Sequence, residues 1–161
     1  MKWNGVMPAI TTCFKSGTQI DHGFMAAHVQ WLVENGCTGV VALGSLGEGA
    51  TLNFDEKVSL LSNVAKALHG KAPVVAAISS LTTAESVSLA KAARDAGCEG
   101  LMVLPPYVYK GDWREMKAHV AAVFQATQLR ACFTTTRSPT APISCRNRFR
   151  NWPENSRTFT R

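Results

Sequence analysis

The sequence predicts an α/β fold in which strands and helices alternate and helices cover a parallel sheet. Three observations predict it. Short apolar runs without polar alternation recur along residues 1–129, as in strands buried on both faces. A longer segment with helical spacing of apolar residues follows each run. Capping residues open those segments, and Gly follows two of them, at Gly36 and Gly97.

The elements follow in order. Val6 to Phe14 reads as a first strand ending near Thr11 and Thr12. Asp21 can cap a helix running to about Asn35, with Gly36 just past its end. Phe24, His28, Trp31 and Leu32 share one stripe, which is expected to be buried. Thr38 to Leu43 is a short buried strand, and a Gly-rich turn follows, Gly44-Ser45-Leu46-Gly47-Glu48-Gly49. Asn53 with Glu56 has capping-box spacing, and Val58, Leu61, Val64, Ala65 and Leu68 supply the apolar face of the helix after it. Pro73 to Ile78 is the third strand. Thr82 with Glu85 opens the third helix, with Val87, Leu89 and Ala93 among its apolar positions, and it ends near Gly97. Leu101 to Leu104 is the fourth strand, stopped by Pro105 and Pro106. Asp112 with Glu115 opens the fourth helix, and Trp113, Met116, Val120 and Phe124 are available for packing.

Four strand–helix units in series suit either a (β/α)8 barrel or an open doubly wound sheet. A weak internal repeat points to the barrel. Asn35-Gly36-Cys37-Thr38-Gly39-Val40-Val41-Ala42-Leu43 resembles Ala96-Gly97-Cys98-Glu99-Gly100-Leu101-Met102-Val103-Leu104, at an offset of 61 residues, or two units. A single Gly-rich loop does not separate the two folds.

Composition excludes several classes. Hydrophobic residues make up 46% of the chain, which argues against disorder. No apolar run reaches the roughly 18–20 residues that span a bilayer. Met1-Lys2-Trp3-Asn4-Gly5 lacks the apolar core of a signal peptide, so a cytoplasmic location is expected and no membrane partner. Cys13, Cys37, Cys98, Cys132 and Cys145 form no C-x-x-C pair and no His cluster accompanies them, which argues against zinc or a disulfide framework. Cys37 and Cys98, each after a Gly before an apolar run, are expected to be small buried residues.

The charge divides the chain. Residues 1–129 hold ten Lys and Arg against ten Asp and Glu, whereas residues 130–161 hold seven Arg and one Glu. The second stretch has no Leu, Val, Gly or Lys and no clean period. The expected organisation is therefore a barrel-type unit over 1–129 and an unrelated, disordered, Arg-rich tail over 130–161. A tail without a selected role is preferred to a basic arm for nucleic acid.

Four features resemble the dihydrodipicolinate synthase and N-acetylneuraminate lyase family. They are Gly5-Val6-Met7-Pro8-Ala9-Ile10-Thr11-Thr12; Asp21 and its helix; Gly44-Ser45-Leu46-Gly47-Glu48 with Ala50-Thr51-Leu52 and Asp55-Glu56; and Leu104-Pro105-Pro106-Tyr107. The resemblance covers residues 1–129 and implies roughly the first four units of a TIM (β/α)8 barrel. It also implies Schiff-base, class I aldolase chemistry without a cofactor. A lysine on the sixth strand attacks the ketone of pyruvate or another 2-oxo acid, and the cationic imine acts as an electron sink. Gly44, Ser45, Leu46, Gly47 and Glu48 are then the carboxylate-binding turn, with Ser45 and the backbone around Leu46 as donors. A Gly-rich turn before a helix can aim several N–H groups at an anion. The family is typically homo-oligomeric.

Departures narrow the reading. The family usually has a hydroxyl residue where Leu46 stands, so one donor and one proton-relay member are missing. Many members carry a tyrosine at the place of Val108; Tyr107 and Tyr109 flank it as accessory residues or as packing residues. None of the eight lysines lies on a sixth strand, and Lys110 follows the exit of the fourth. The chain is therefore expected to be inactive, with exposed strand edges and inner helix faces that favour aggregation. A half-barrel that pairs with a second copy is the alternative for its assembly.

The tail begins where the family's fifth strand, with its Tyr-Asn-x-Pro motif, is due. In a shifted reading frame the codons spanning Phe133 and Thr134 permit Tyr, those of Thr134 to Thr136 permit two Asn, and Thr136 with Arg137 permits Pro. The sequence thus suggests a frameshift near Leu129. The codon joining Ser138 to Pro139 does not permit the arginine usual in dihydrodipicolinate synthases. With Leu46 and Val108 this leaves open a sibling outside lysine biosynthesis, either an aldolase or a dehydratase/deaminase on another 2-oxo acid.

Overall fold

The computed structural model describes residues 4–106, 108 and 111–133. Its elements run α1 (His22–Glu34), β1 (Val40–Ala42), α2 (Phe54–Leu68), β2 (Val74–Ile78), α3 (Thr83–Asp95), β3 (Gly100–Val103), α4 (Trp113–Gln125) and β4 (Arg130–Phe133). Tyr107, Tyr109, Lys110, Cys145 and the shifted-frame motif lie outside the described residues.

Local chemistry starts the helices. Asn53 and Glu56 form a full capping box, as do Asp112 and Glu115. Asp21 accepts from the N–H of Phe24, and Gly36 takes φ +94° just past α1. Thr82 accepts from the N–H of Glu85. The Glu85 carboxylate instead lies 3.7 Å from the ammonium of Lys57, a side chain of α2 that is buried at its stem.

The sheet is parallel, in the order β1-β2-β3-β4, with Val40 opposite Val74, Val75 opposite Gly100 and Gly100 opposite Arg130. Residues 6–10 lie along the outer side of β1. The N–H of Thr38 donates to Val6, that of Val41 to Pro8 and that of Ile10 to Val41. This segment makes one bridge, Ala9 to Val41, and is not a full strand; Pro8 has no N–H to contribute to a ladder. Spatial order therefore equals sequence order from residue 6 to residue 133. A doubly wound sheet reverses its order at a switch point, and none occurs here, so the arrangement is an arc of a (β/α)8 barrel.

Two expectations need correction. The stripe of α1 is out of phase: Met25 and Val29 are fully buried, whereas Phe24 and Trp31 are 52% and 57% exposed and Leu32 is half-buried. Packing against the sheet selects the Met25–Val29 row over the equally periodic aromatic one. The composition break after Leu129 is not a structural break, because Arg130–Phe133 pairs with β3 along its whole length. Every residue of β1 and β2 is buried, and their side chains join one cluster with Ile10, Ile20 and Leu52 from segments outside the strands.

Other packing follows the helical period. Leu60, Leu61, Val64 and Leu68 of α2, Leu89, Ala90 and Ala93 of α3, and Val120 and Val123 of α4 are buried, while Trp113 is 47% exposed. Cys98 is buried, and loss of solvation pushes its thiol up to about 12; Cys37 is only half-buried. Among the described residues no helix is long and apolar enough to cross a membrane, and no three His, Cys, Asp or Glu side chains group as metal ligands.

Candidate functional site

In a barrel the reactive end is where strands finish and loops lead into helices. That end of this arc gathers Thr12, the turn Gly44–Glu48 after β1, Ser79 and Ser80 after β2, and Pro105 and Pro106 after β3. Ser80 is buried, and its hydroxyl has no partner among the described residues.

The turn is held from beneath. The Thr12 hydroxyl, itself buried, donates to the Gly47 carbonyl at 2.7 Å. Gly47 packs so closely that a Cβ would stand 2.8 Å from the Ile10 carbonyl oxygen. A Cβ on Gly49 would run into the Leu43 carbonyl oxygen. These two glycines are required by close approach of backbone rather than by dihedral angles. Strain sits at the flanks instead: Leu43 and Glu48 adopt φ of +64° and +55°, which is costly for side chains with a Cβ.

Within the turn, Gly47 and Gly49 donate to the Gly44 carbonyl and Glu48 donates to Ser45. The N–H groups of Ser45 and Leu46 donate to no described residue, and both residues are exposed, Leu46 at 71%. The turn thus offers two backbone donors and the Ser45 hydroxyl at an open surface, with no cation among its own residues. Such a set suits one anionic oxygen pair better than a dense phosphate charge.

Glu48 is placed apart from that donor set. It lines a cavity of about 340 Å³ with Phe14, Gly17, Thr18, Thr51, Leu52 and Glu56, which neither Ser45 nor Leu46 lines. Two carboxylates there disfavour an anion. Val108 is 67% exposed beyond β3. No described lysine lies on a strand: Lys57 and Lys66 are on α2, Lys91 on α3, Lys117 on α4, and Lys15 and Lys71 in connections. Thr12 is the contributor that sequence reasoning missed. Its only signal was a hydroxyl residue at the end of the first apolar run.

A serial parallel arc with a glycine turn clamped at its strand ends defines part of a (β/α)8 barrel. The chain belongs to the dihydrodipicolinate synthetase family, whose model matches residues 2–134. It is 40% identical over 124 residues to the 4-hydroxy-tetrahydrodipicolinate synthase of Mycolicibacterium paratuberculosis, covering 77% of this chain and 41% of that enzyme. Among solved structures it resembles the dihydrodipicolinate synthase DapA-2 of Bacillus anthracis, with a TM-score of 0.80 and 30% identity over 83% of this chain and 46% of that one. YagE, a prophage protein of the same family from E. coli K12 solved in complex with pyruvate, shares the fold at a TM-score of 0.79 and 24% identity, over 82% of this chain and 44% of that one. The chain therefore spans less than half the length of the relatives it matches.

Proposed function

We propose that this chain carries the carboxylate-recognition part of a Schiff-base lyase or synthase acting on pyruvate or a related 2-oxo acid, and that by itself it binds without turnover. The observation that carries this reading is the Thr12-clamped turn with the free N–H groups of Ser45 and Leu46 and the Ser45 hydroxyl beside them. Those donors fit the two oxygens of a 2-oxo acid carboxylate. They fix the ketone carbon relative to the barrel axis, which is the positioning part of the reaction. The covalent part needs an unprotonated amine that adds to the ketone carbon and expels its oxygen as water, leaving a cationic imine. No lysine on a described strand supplies that amine.

Leu46 favours a member of the family that works without a hydroxyl at this position. An exposed leucine side chain neither donates to the carboxylate nor relays a proton. This supports an aldolase or dehydratase/deaminase on another 2-oxo acid as the second reading. Titrating the isotopically labelled chain with pyruvate and following backbone amide shifts tests the proposal. Saturable shifts at Ser45 and Leu46 that shrink in Ser45→Ala are expected. Unmoved amides in the turn, at pyruvate concentrations up to tens of millimolar as an order of magnitude for a few hydrogen bonds, would refute it.

A further inference from the structure

We propose that the Leu46 side chain selects the substituent of the 2-oxo acid, and that the preferred ligand is a monocarboxylic 2-oxo acid with an alkyl chain. Pyruvate itself and dicarboxylic 2-oxo acids then bind more weakly. The inference rests on the carboxylate reading of the turn and deepens it. Leu46 acts twice there. Its backbone N–H is one of the two that donate to no described residue, and its side chain is 71% exposed. An oxygen accepted by that N–H lies about 2.9 Å from the nitrogen, and Cβ is bonded to the neighbouring Cα. Whatever the rotamer, the isobutyl group starts within roughly 5 Å of the bound oxygen. In a 2-oxo acid only C2 separates the carboxylate carbon from C3. A substituent on C3 therefore comes within reach of the leucine methyls. Leucine supplies no donor or acceptor for that substituent, only apolar surface that excludes water from one side of it.

The surroundings point the same way. β1 pairs with β2, and β2 with β3. Leu46, Leu81 and Val108 follow the ends of these three strands in turn, and each is at least half exposed. The strand ends beside the donors thus present apolar side chains from three successive loops. A polyhydroxylated substituent would lose water against them without gaining partners. A second carboxylate meets the wrong charge as well. The turn itself has no cation, and the cavity that Glu48 lines carries the Glu56 carboxylate too. Lys57, on the helix that follows the turn, is turned to Glu85 at 3.7 Å. Among the described residues one carboxylate finds donors and a second finds like charge.

The size of the effect follows from burial. Full burial of one methylene strengthens binding about fourfold, so an alkyl chain covered on one side should gain about twofold per methylene. From pyruvate to 2-oxovalerate, two methylenes longer, the gain is then about fourfold.

The test is to titrate the full labelled chain with pyruvate, 2-oxobutyrate, 2-oxovalerate and 2-oxoglutarate, following the Ser45 and Leu46 amides, with mass in solution measured alongside. Affinity should rise in steps from pyruvate to 2-oxovalerate and be weaker for 2-oxoglutarate than for 2-oxovalerate. Leu46→Thr should flatten the ratio of 2-oxovalerate to pyruvate affinity, and Leu46→Met, which stays apolar, should keep it. The readout is a ratio within each protein, and Leu46 is an exposed side chain, so a small change in stability does not mimic the result. A series that binds with equal affinities, a gradient that survives Leu46→Thr, or 2-oxoglutarate binding as tightly as 2-oxovalerate would overturn the proposal while leaving the carboxylate reading intact. A flat series together with a homodimer that Leu46→Thr dissolves would assign the leucine to a contact between copies and overturn it as well. Unmoved amides with every acid would remove both readings together.

Discussion

Replacing Thr12 by Val probes the clamp under the glycine turn. The two side chains have nearly the same shape, so the change removes one hydroxyl and leaves the packing. What remains is the Gly47 carbonyl, on a buried residue, without the donor now 2.7 Å away. A buried acceptor left unpaired costs about 1–3 kcal/mol. Its two other neighbours give no relief, since the N–H groups of Gly47 and Gly49 already donate to Gly44. Urea unfolding followed by circular dichroism reads the cost. With a slope of about 2 kcal/mol per molar for a small domain, the midpoint should fall by roughly 0.5–1.5 M with the slope unchanged. Thr12→Ser keeps the donor and should recover most of the loss. The pyruvate-induced shifts at Ser45 and Leu46 should weaken in Thr12→Val and return in Thr12→Ser. A Thr12→Val protein with the wild-type midpoint and wild-type shifts would show that the turn holds itself, and the clamp argument would fail.

Other expectations follow from single features. Asn53→Ala removes the acceptor for the Glu56 N–H and should lower stability by ~1 kcal/mol in the same urea assay, whereas Asn53→Ser should be near neutral. His119 is buried on α4 with its Nδ1 3.0 Å from the Thr83 hydroxyl and its Nε2 without a partner among the described residues, and loss of solvation lowers its pKa below the ordinary value. The folded state then binds fewer protons than the unfolded one. The stabilisation this provides is complete above the unfolded pKa near 6.5 and is lost as pH falls through the lower folded value. Unfolding midpoints measured from pH 7 down to about 5 should fall more steeply for wild type than for His119→Gln. Cys98, held as a thiol up to about 12, should resist a disulfide reagent in the native chain while the half-buried Cys13 and Cys37 react first; rapid labelling of Cys98 at neutral pH would contradict its burial.

What the sequence disclosed was mostly local. The Asn53–Glu56 and Asp112–Glu115 boxes span three residues each and depend on nothing distant, so they were readable at the level of spacing. The pair Thr82–Glu85 has the same spacing but closes only half its box, because Lys57 on a neighbouring helix attracts the Glu85 carboxylate. The face of α1 was not readable, since Phe24-His28-Trp31 and Met25-Val29 both repeat at helical intervals and only the sheet and α2 choose between them. The strand Arg130–Phe133 was hidden for another reason. Composition over a window of thirty residues conceals a strand of four, of which Ala131, Cys132 and Phe133 are apolar enough to pair. The glycine turn was legible as a motif, but its support from Thr12 spans 35 residues of sequence and needed the fold.

Reduction with borohydride in the presence of pyruvate, followed by intact-mass measurement, addresses the core of the account. With no lysine on any described strand, the mass of the chain should stay unchanged under conditions that modify a full-length relative. A stoichiometric increase by one reduced pyruvyl group, mapped to a single lysine, would mean that this polypeptide assembles a working imine site on its own.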